Sequence, residues 1–184
     1  MPNLSPLSIE YLSNKIICII GFMGSGKDFF GNHLAKELNA ATINTDLLIE
    51  DIANKQIYEI FKEHGEHYFR TKEKEVLQNI VYNSETIIKP TVIIFGGGTP
   101  LKRYNQKLLK QLSPFYIFLN PPFDVIYDRI KGTKRPLTYR RSRIHIFSLW
   151  AERNPIYQKL SNISITDTDI FHMFAKLDQY INLI

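Results

Sequence analysis

The sequence predicts an α/β fold in which a parallel β-sheet carries helices on both faces. Three apolar runs rich in β-branched residues, at residues 15–20, 91–95 and 114–119, have the length and composition of strands buried on both faces. Stretches with the 3.6-residue periodicity of helices lie between these runs. Because strands that alternate with helices are joined by right-handed crossovers, the pattern predicts three layers with the sheet in the middle.

Two weaker strand candidates, at residues 41–44 and 162–166, extend the predicted sheet to five strands. The helical stretches are residues 27–38, 66–82, 122–130, 144–160 and 169–184. The chain has no internal repeat, low-complexity tract or linker rich in proline, glycine and serine that would divide it. We therefore expect a single domain over residues 1–184, with residues 1–14 as an N-terminal extension.

Composition narrows the class of protein without selecting a function. The 184 residues are 44% hydrophobic and carry a net charge of +5, which suits nucleic acids, acidic membrane surfaces and small anionic ligands alike. The one cysteine, Cys18, lies inside the first apolar run, as a small core residue would. No apolar run is long enough to span a bilayer, and residues 1–14 lack a signal-peptide pattern. We expect a cytoplasmic protein that binds no membrane and is small enough to act as a monomer.

A phosphate-binding loop is predicted at residues 21–27, whose sequence is GFMGSGK. The loop follows the first strand directly and opens a helix, which is the context in which such a glycine pattern binds phosphates. The backbone N–H groups from Gly24 to Gly26 would surround the phosphates of a nucleotide, and Lys27 would reach their outer oxygens. An ordinary strand-to-helix turn is the alternative, and the flanking elements favour nucleotide binding over it.

Asp28, the residue after the loop, departs from the usual pattern. This position normally carries a Ser or Thr whose hydroxyl ligates Mg²⁺. A carboxylate near phosphates is repelled by roughly 4 kcal/mol per pair of unit charges at 4 Å, for an effective dielectric constant of about 20, unless a cation lies between them. Asp28 therefore either binds the metal directly or damages the site.

Five further motifs follow the loop. They are NTD at 44–46, GEHYFRTKE at 65–73, GGG at 96–98, RPL at 135–137 and RNPIY at 153–157. Together with the loop, and in this order, they resemble the shikimate kinase family over most of the chain. The resemblance implies a P-loop kinase fold with a mobile lid at about residues 131–143. It also implies, with Mg²⁺ as cofactor, transfer of a phosphoryl group from ATP to shikimate, which gives shikimate 3-phosphate and ADP in aromatic amino acid biosynthesis.

The resemblance also assigns roles to individual residues. Shikimate binding falls to Asp46, Arg70, Gly96, Gly97, Gly98 and Arg153. ATP binding falls to Gly24, Ser25, Gly26, Lys27, Asp28, Phe29, Arg129 and Arg135. Lys27, Asp46 and Arg135 are the predicted catalytic residues, and Asp28 and Asn44 the predicted metal-site residues.

The chemistry of these residue types agrees with the roles, although each motif alone has a plainer interpretation. A planar guanidinium suits a carboxylate, and Glu73 lies on the same helix face as Arg70, where it can orient that side chain. Taken alone, this pair would be an ordinary surface ion pair. Likewise, Arg135 would neutralise charge on the transferred phosphoryl group, whereas its basic segment alone would be a solvated loop.

The metal site departs from the family at two positions. Asn44 stands where the family has an acid, and Asp28 stands where it has a hydroxyl. We infer an exchange, in which the loop supplies the one carboxylate near Mg²⁺ and Asn44 is a neutral ligand or the partner of a ligand. The rival inference is decay to a catalytically impaired binding protein.

Two other classes of function stay open on the sequence alone. One is a related small-molecule kinase that acts on another hydroxy acid, such as gluconate, or on a nucleoside monophosphate. The other is a nucleic-acid protein, which rests on the net charge of +5 and on the arginines of the lid. We expect no nucleic-acid binding, because ATP and an acidic substrate already account for clustered arginines.

Overall fold

The computed structural model describes residues 3–184 and contains the five predicted strands in one parallel sheet. The strands are β1 (Ile16–Gly21), β2 (Ala41–Asn44), β3 (Thr91–Ile94), β4 (Phe115–Leu119) and β5 (Ile163–Ile165). Their order across the sheet is β2-β3-β1-β4-β5, and every neighbouring pair is parallel. Helices cover the sheet, so the predicted α/β fold with three layers is confirmed.

Eight α-helices surround the sheet in the described part of the chain. They are α1 (Pro6–Ser13), α2 (Lys27–Glu37), α3 (Thr45–Ala53), α4 (Ile57–Tyr82), α5 (Arg103–Leu109), α6 (Phe123–Ile130), α7 (Arg143–Leu160) and α8 (Ile170–Ile181). Four of them, α2, α6, α7 and α8, agree closely with the predicted helical stretches. No helix within residues 3–184 is long and apolar enough to cross a membrane.

The remaining helices show where sequence periodicity was insufficient. The predicted helix at residues 66–82 is the second part of α4. A first part, which was not predicted, precedes Gly65, and the positive φ of 76° at Gly65 separates the two parts. Helices α1, α3 and α5 were not predicted. Helix α3 follows β2 without a loop, because Asn44 ends the strand and caps the helix. Leu47 and Ile52 of α3 are apolar but exposed, so the apolar residues of this helix do not mark a single buried face in the sequence.

Two apolar clusters, one on each face of the sheet, form the core. Residues of β1 alternate between them: Cys18 and Ile20 pack into one cluster, and Ile17 and Ile19 pack into the other. All six residues of β1 are buried, as expected for the central strand of a covered parallel sheet. Burial raises the pKa of the Cys18 thiol above its usual range, which keeps this residue a neutral part of the core.

The strand order brings three loops to one edge of the sheet. Because β3 lies between β1 and β2, the carboxyl ends of these strands place the phosphate loop, the NTD motif and the triple glycine side by side. The chain leaves β1 toward one side of the sheet and reaches β4 on the other, and a crevice at such a switch point is where α/β folds bind ligands. The fold therefore predicts a site at this edge.

The segment predicted as a lid, at about residues 131–143, connects α6 and α7. Residues 131–142 form turns between α6 and α7, and most of them are exposed. Arg143 instead begins α7, because Ser142 caps that helix by accepting a hydrogen bond from the His145 N–H. The mobility of residues 131–142 stays a prediction.

Candidate active site

All of the residues predicted for the site line one cavity of about 1070 Å³ at this edge of the sheet. They are Gly24, Ser25, Gly26, Lys27, Asp28, Phe29, Asn44, Asp46, Arg70, Gly96, Gly97, Gly98, Arg129, Arg135 and Arg153. They come from separate parts of the chain, and the sheet brings them together. The volume is large enough for a nucleotide and a small acid.

The phosphate loop has the backbone shape that its glycines allow. Gly24 and Gly26 adopt positive φ angles of 80° and 95°, a conformation that other residues rarely adopt. Helix α2 begins at Lys27, whose buried ammonium donates a hydrogen bond of 3.1 Å to the Phe22 carbonyl. Burial lowers the pKa of Lys27 to about 8, although Asp28 and Asp46 act to raise it. An anion in the cavity would favour the charged form of this lysine.

Asn44 connects the phosphate loop helix to α3. Its Oδ1 accepts hydrogen bonds from the backbone N–H groups of Asp46, at 3.0 Å, and Leu47, at 3.2 Å. Its Nδ2 donates a hydrogen bond of 2.6 Å to Asp28 Oδ1. The two residues that depart from the family pattern are therefore in direct contact.

Asp46 places a carboxylate against the triple glycine. A Cβ added to Gly96 would lie 2.2 Å from Asp46 Oδ1, so only glycine leaves room for this carboxylate. Oδ1 is buried and has no hydrogen-bond partner within residues 3–184. Burial raises the pKa of Asp46 to about 6, and Lys27 offsets only part of this rise. The residue can therefore exchange a proton near neutral pH and has an acceptor atom free for a ligand hydroxyl.

Arg70 is held rigidly by two carboxylates on its own helix. Its Nη1 donates to Glu73 Oε1 and Oε2, at 3.0 and 2.9 Å, and its Nε and Nη2 donate to Glu66 Oε1, at 3.2 and 3.0 Å. Glu73 is buried and also accepts a hydrogen bond of 2.8 Å from the Thr99 hydroxyl. A guanidinium fixed in this way is preorganised, because little side-chain entropy remains to be lost on binding.

Arg153 is a buried cation whose charge is not matched by a contacting carboxylate. Its guanidinium carbon lies 5.8 Å from the centre of the Phe22 ring. Its Nη1 is buried and has no hydrogen-bond partner in the part of the chain that the structure describes. One turn further along α7, the Tyr157 hydroxyl donates a hydrogen bond to the Gly97 carbonyl and so fixes the triple-glycine turn. An unpaired buried donor of this kind is a ready site for an anion.

The remaining predicted residues, Arg129, Arg135 and Phe29, lie near the phosphate loop. Arg129 Nη1 donates a hydrogen bond of 3.2 Å to the Gly24 carbonyl. Arg135 is close enough to Lys27 to contribute to lowering the pKa of that lysine. Phe29 is about half exposed, and its ring centre lies 4.4 Å from that of His33. These contacts place positive charge around the phosphate loop.

Sequence reasoning missed several residues that line the cavity. Tyr58 and Phe61 lie on the first part of α4, which was not predicted. Asp167 and Thr168 lie two and three residues after the end of β5, and the rule that ligands bind at strand carboxyl ends could have identified them. Within residues 3–184, no group of three or more His, Cys, Asp or Glu side chains could hold a metal ion by itself. That finding is compatible with Mg²⁺ held mainly by phosphates and water.

Comparison with known proteins agrees with this geometry. A sequence model of the shikimate kinase family matches residues 23–180. The shikimate kinase of Flavobacterium psychrophilum is 30% identical over 162 residues, which are 88% of this chain and 82% of that protein. The match therefore extends well beyond the phosphate loop.

Solved structures give the same result. A shikimate kinase from Acinetobacter baumannii in complex with shikimate superposes with a TM-score of 0.80 at 26% identity, covering 95% of this chain and 96% of that one. A gluconokinase from Sinorhizobium meliloti gives a TM-score of 0.55 at 15% identity, covering 93% and 95% of the two chains. The second likeness extends to the fold alone.

Proposed function

The chain belongs to the shikimate kinase family, and we propose that it transfers the γ-phosphoryl group of ATP to a hydroxyl of shikimate. The observation that carries the proposal is a single cavity with a phosphate loop on one side and two arginines and a carboxylate on the other. The cavity therefore offers separate places for a triphosphate and for a small hydroxy acid.

On the nucleotide side, we assign the phosphates to the loop and to the cations around it. The N–H groups from Gly24 to Gly26 and the Lys27 ammonium bind the phosphate oxygens. Arg135 neutralises charge on the transferred group, and Arg129 supports the loop through the Gly24 carbonyl. Such stabilisation is the main contribution of a protein to phosphoryl transfer.

On the acceptor side, we assign the shikimate carboxylate to Arg70 and Arg153. Two cations that converge on one carboxylate fix its orientation as well as its position. Asp46 then accepts a hydrogen bond from the reacting hydroxyl. The hydroxyl oxygen forms a bond to the γ-phosphorus while the bond from that phosphorus to the bridging oxygen of ADP breaks, and the hydroxyl proton passes to Asp46.

Mg²⁺ belongs to the proposal as the cation that accompanies ATP. The residues present fit it, because Asp28 offers a carboxylate beside the loop whose Oδ2 makes no hydrogen bond with the described residues. When bound, the cation neutralises charge on the β- and γ-phosphates. We also expect the protein to act as a cytoplasmic monomer with a single domain that binds no nucleic acid, which size-exclusion chromatography and a titration with DNA or RNA at physiological salt would test.

The test is release of ADP by the purified protein with ATP, shikimate and Mg²⁺ or Mn²⁺. Lys27→Ala serves as the control for contaminating kinases, and gluconate and nucleoside monophosphates serve as competing acceptors. We expect turnover that depends on shikimate and is lost in Lys27→Ala. A folded protein that binds Mg-ATP without turnover on any acceptor would contradict the proposal and indicate a silent relative of the family.

A further inference from the structure

Asp28 is an unusual neighbour for a phosphate-binding lysine. It lies in the first turn of α2, directly after Lys27, at the position where phosphate loops normally carry a hydroxyl. Its Oδ1 accepts the hydrogen bond from Asn44, and its Oδ2 makes no hydrogen bond or ion pair with the described part of the protein. The cavity beside the loop therefore contains a carboxylate oxygen that is available to a ligand.

Asn44 cannot itself offer an oxygen to a metal in this arrangement. Its only side-chain oxygen accepts hydrogen bonds from two backbone N–H groups at the start of α3, and its amide nitrogen donates a hydrogen bond to Asp28. To ligate a metal, Asn44 would have to break the cap of α3. We therefore assign it as a positioning residue that holds the Asp28 carboxylate, and not as a ligand.

We propose that Asp28, oriented by Asn44, is the carboxylate through which this chain binds the divalent cation of a metal–nucleoside triphosphate complex, so that tight nucleotide binding requires the cation. The inference rests on the proposed function, because it assumes that ATP occupies the cavity. A hydroxyl at this position is neutral and tolerates a nucleotide without metal. A carboxylate repels the phosphates of a free nucleotide and attracts the same nucleotide once a cation accompanies it.

A second carboxylate strengthens the case. Asp46 lines the same cavity and has a buried Oδ1 without a partner, so two acids and Lys27 face the place of the phosphates. Lys27, together with Arg129 and Arg135 near the loop, supplies three positive charges, which do not balance two carboxylates and a triphosphate. The set of charges is therefore complementary to a nucleotide with its divalent cation and not to the nucleotide alone.

The contact between Asp28 and Asn44 also explains why only one of these positions can carry an acid. An aspartate at residue 44 would cap α3 equally well. Its second oxygen, however, would take the place of Nδ2, which lies 2.6 Å from Asp28 Oδ1. Two carboxylate oxygens cannot share that distance without a proton or a cation between them. The two substitutions are thus compensatory, and exchanging both should preserve the site.

The test measures the affinity for a non-hydrolysable ATP analogue, AMP-PNP, by calorimetry in Mg²⁺ and again in EDTA. The ratio of the two dissociation constants reports the cation requirement without relying on turnover. The variants are Asp28→Ser and the double variant Asp28→Ser with Asn44→Asp. Asp51→Ser is the matched control, because it removes an exposed carboxylate of α3 that does not line the cavity.

We expect the native chain and Asp51→Ser to bind the analogue about tenfold or more tightly with Mg²⁺. In Asp28→Ser the ratio of the dissociation constants in EDTA and in Mg²⁺ should fall toward unity, because affinity rises in EDTA and drops in Mg²⁺. The double variant should restore the native ratio. An Asp28→Ser ratio equal to the native one, or equal gains in both conditions, would overturn the inference alone. Failure of the native chain to bind the analogue with Mg²⁺ would overturn the proposed function together with it.

Discussion

The guanidinium of Arg70 occupies the space that a side chain at Gly98 would need. A Cβ built on Gly98 would lie 2.2 Å from Arg70 Nη1, a separation that no real structure accepts. The backbone itself does not require glycine, because Gly98 has φ −94° and ψ −21°, which any residue adopts. The glycine is needed because Arg70 occupies this space, and the contact joins the triple-glycine turn to the side of the cavity that we propose for the acceptor.

Gly98→Ala should weaken acceptor binding while leaving the fold intact. The alanine methyl group displaces the end of a long side chain and not the backbone, so Arg70 moves away from its place in the cavity. Loss of one hydrogen bond between charged groups costs about 1.5 to 3 kcal/mol, so we expect the KM for shikimate to rise about tenfold or more. Steady-state kinetics with each substrate varied would measure it, and the KM for ATP is the internal control. An unchanged KM for shikimate would remove Arg70 from the acceptor site.

Asp46→Asn should reduce turnover strongly with little effect on nucleotide affinity. The amide cannot accept the hydroxyl proton, and general-base assistance contributes about 10²- to 10⁴-fold to such reactions. The raised pKa of about 6 also predicts that kcat of the native chain falls as the pH drops below about 6, because the protonated acid is inactive. Turnover of Asp46→Asn equal to that of the native chain would exclude Asp46 as the base.

The same substitution should make the protein more stable at neutral pH. The folded state holds the Asp46 pKa at about 6, above its ordinary value of 3.8, so the ionised carboxylate opposes folding. This cost is absent below about pH 4, grows between pH 4 and 6, and reaches about 3 kcal/mol above that range. Thermal unfolding should give a midpoint about 9 °C higher for Asp46→Asn at pH 7.5. At pH 4 the two midpoints should coincide, and a constant difference across this range would contradict the assigned pKa.

The sequence predicted those features of the fold and of the site that depend on residues close together in the chain. The phosphate loop was recognisable because its glycines and lysine must follow one another between a strand and a helix. The apolar run of β1 was recognisable because every residue of a central parallel strand is buried. The resemblance assigned Asp28 and Asn44 to one site, and in the structure Asn44 Nδ2 lies 2.6 Å from Asp28 Oδ1.

What the sequence did not reveal depends on geometry that appears only when the chain is folded. Asn44 was predicted as a metal ligand or as the partner of one, and its additional role as the cap of α3 was not predicted because the start of that helix could not be located without the end of β2. The requirement for glycine at residues 96 and 98 arises from Asp46 and Arg70, which are distant in sequence. The attachment of α1 to the rest of the protein was also not predicted. This helix is short, and its cap Ser5 bonds to Asp178, which lies near the other end of the chain.

Tyr157→Phe should loosen the turn that forms the acceptor side. The Tyr157 side chain is fully buried, and its hydroxyl is the group that satisfies the Gly97 carbonyl. Removal of the hydroxyl leaves that carbonyl without its donor, at a cost of about 1 to 2 kcal/mol in the free energy of unfolding. Urea denaturation would measure the loss, and Tyr82→Phe is the control, because Tyr82 is almost fully exposed. Equal stability of the native chain and Tyr157→Phe would show that the turn does not depend on this bond.

Asp178→Ala should release the N-terminal helix from the body of the protein. Asp178 Oδ1 on α8 accepts hydrogen bonds from the Ser5 backbone N–H, at 2.8 Å, and from the Ser5 hydroxyl, at 2.7 Å. Ser5 is also the cap of α1, so one carboxylate fixes both the position and the start of that helix. Because these bonds are partly exposed, we expect a loss of about 1 to 2 kcal/mol in the free energy of unfolding at pH 7.

The pH dependence of this loss separates the anchor from a simple change in surface charge. Burial alone would raise the pKa of Asp178, but hydrogen bonds from Ser8, Ser5 and Asn182 outweigh it and hold the pKa below its usual range. A depressed pKa gives stability that is present above the ordinary value and is lost as the pH falls below it. The difference between the native chain and Asp178→Ala should therefore be largest near neutral pH and shrink in acid. Asp51→Ala is the control without such an anchor, and a difference for Asp178→Ala that persists unchanged to pH 2 would reject the role of the carboxylate.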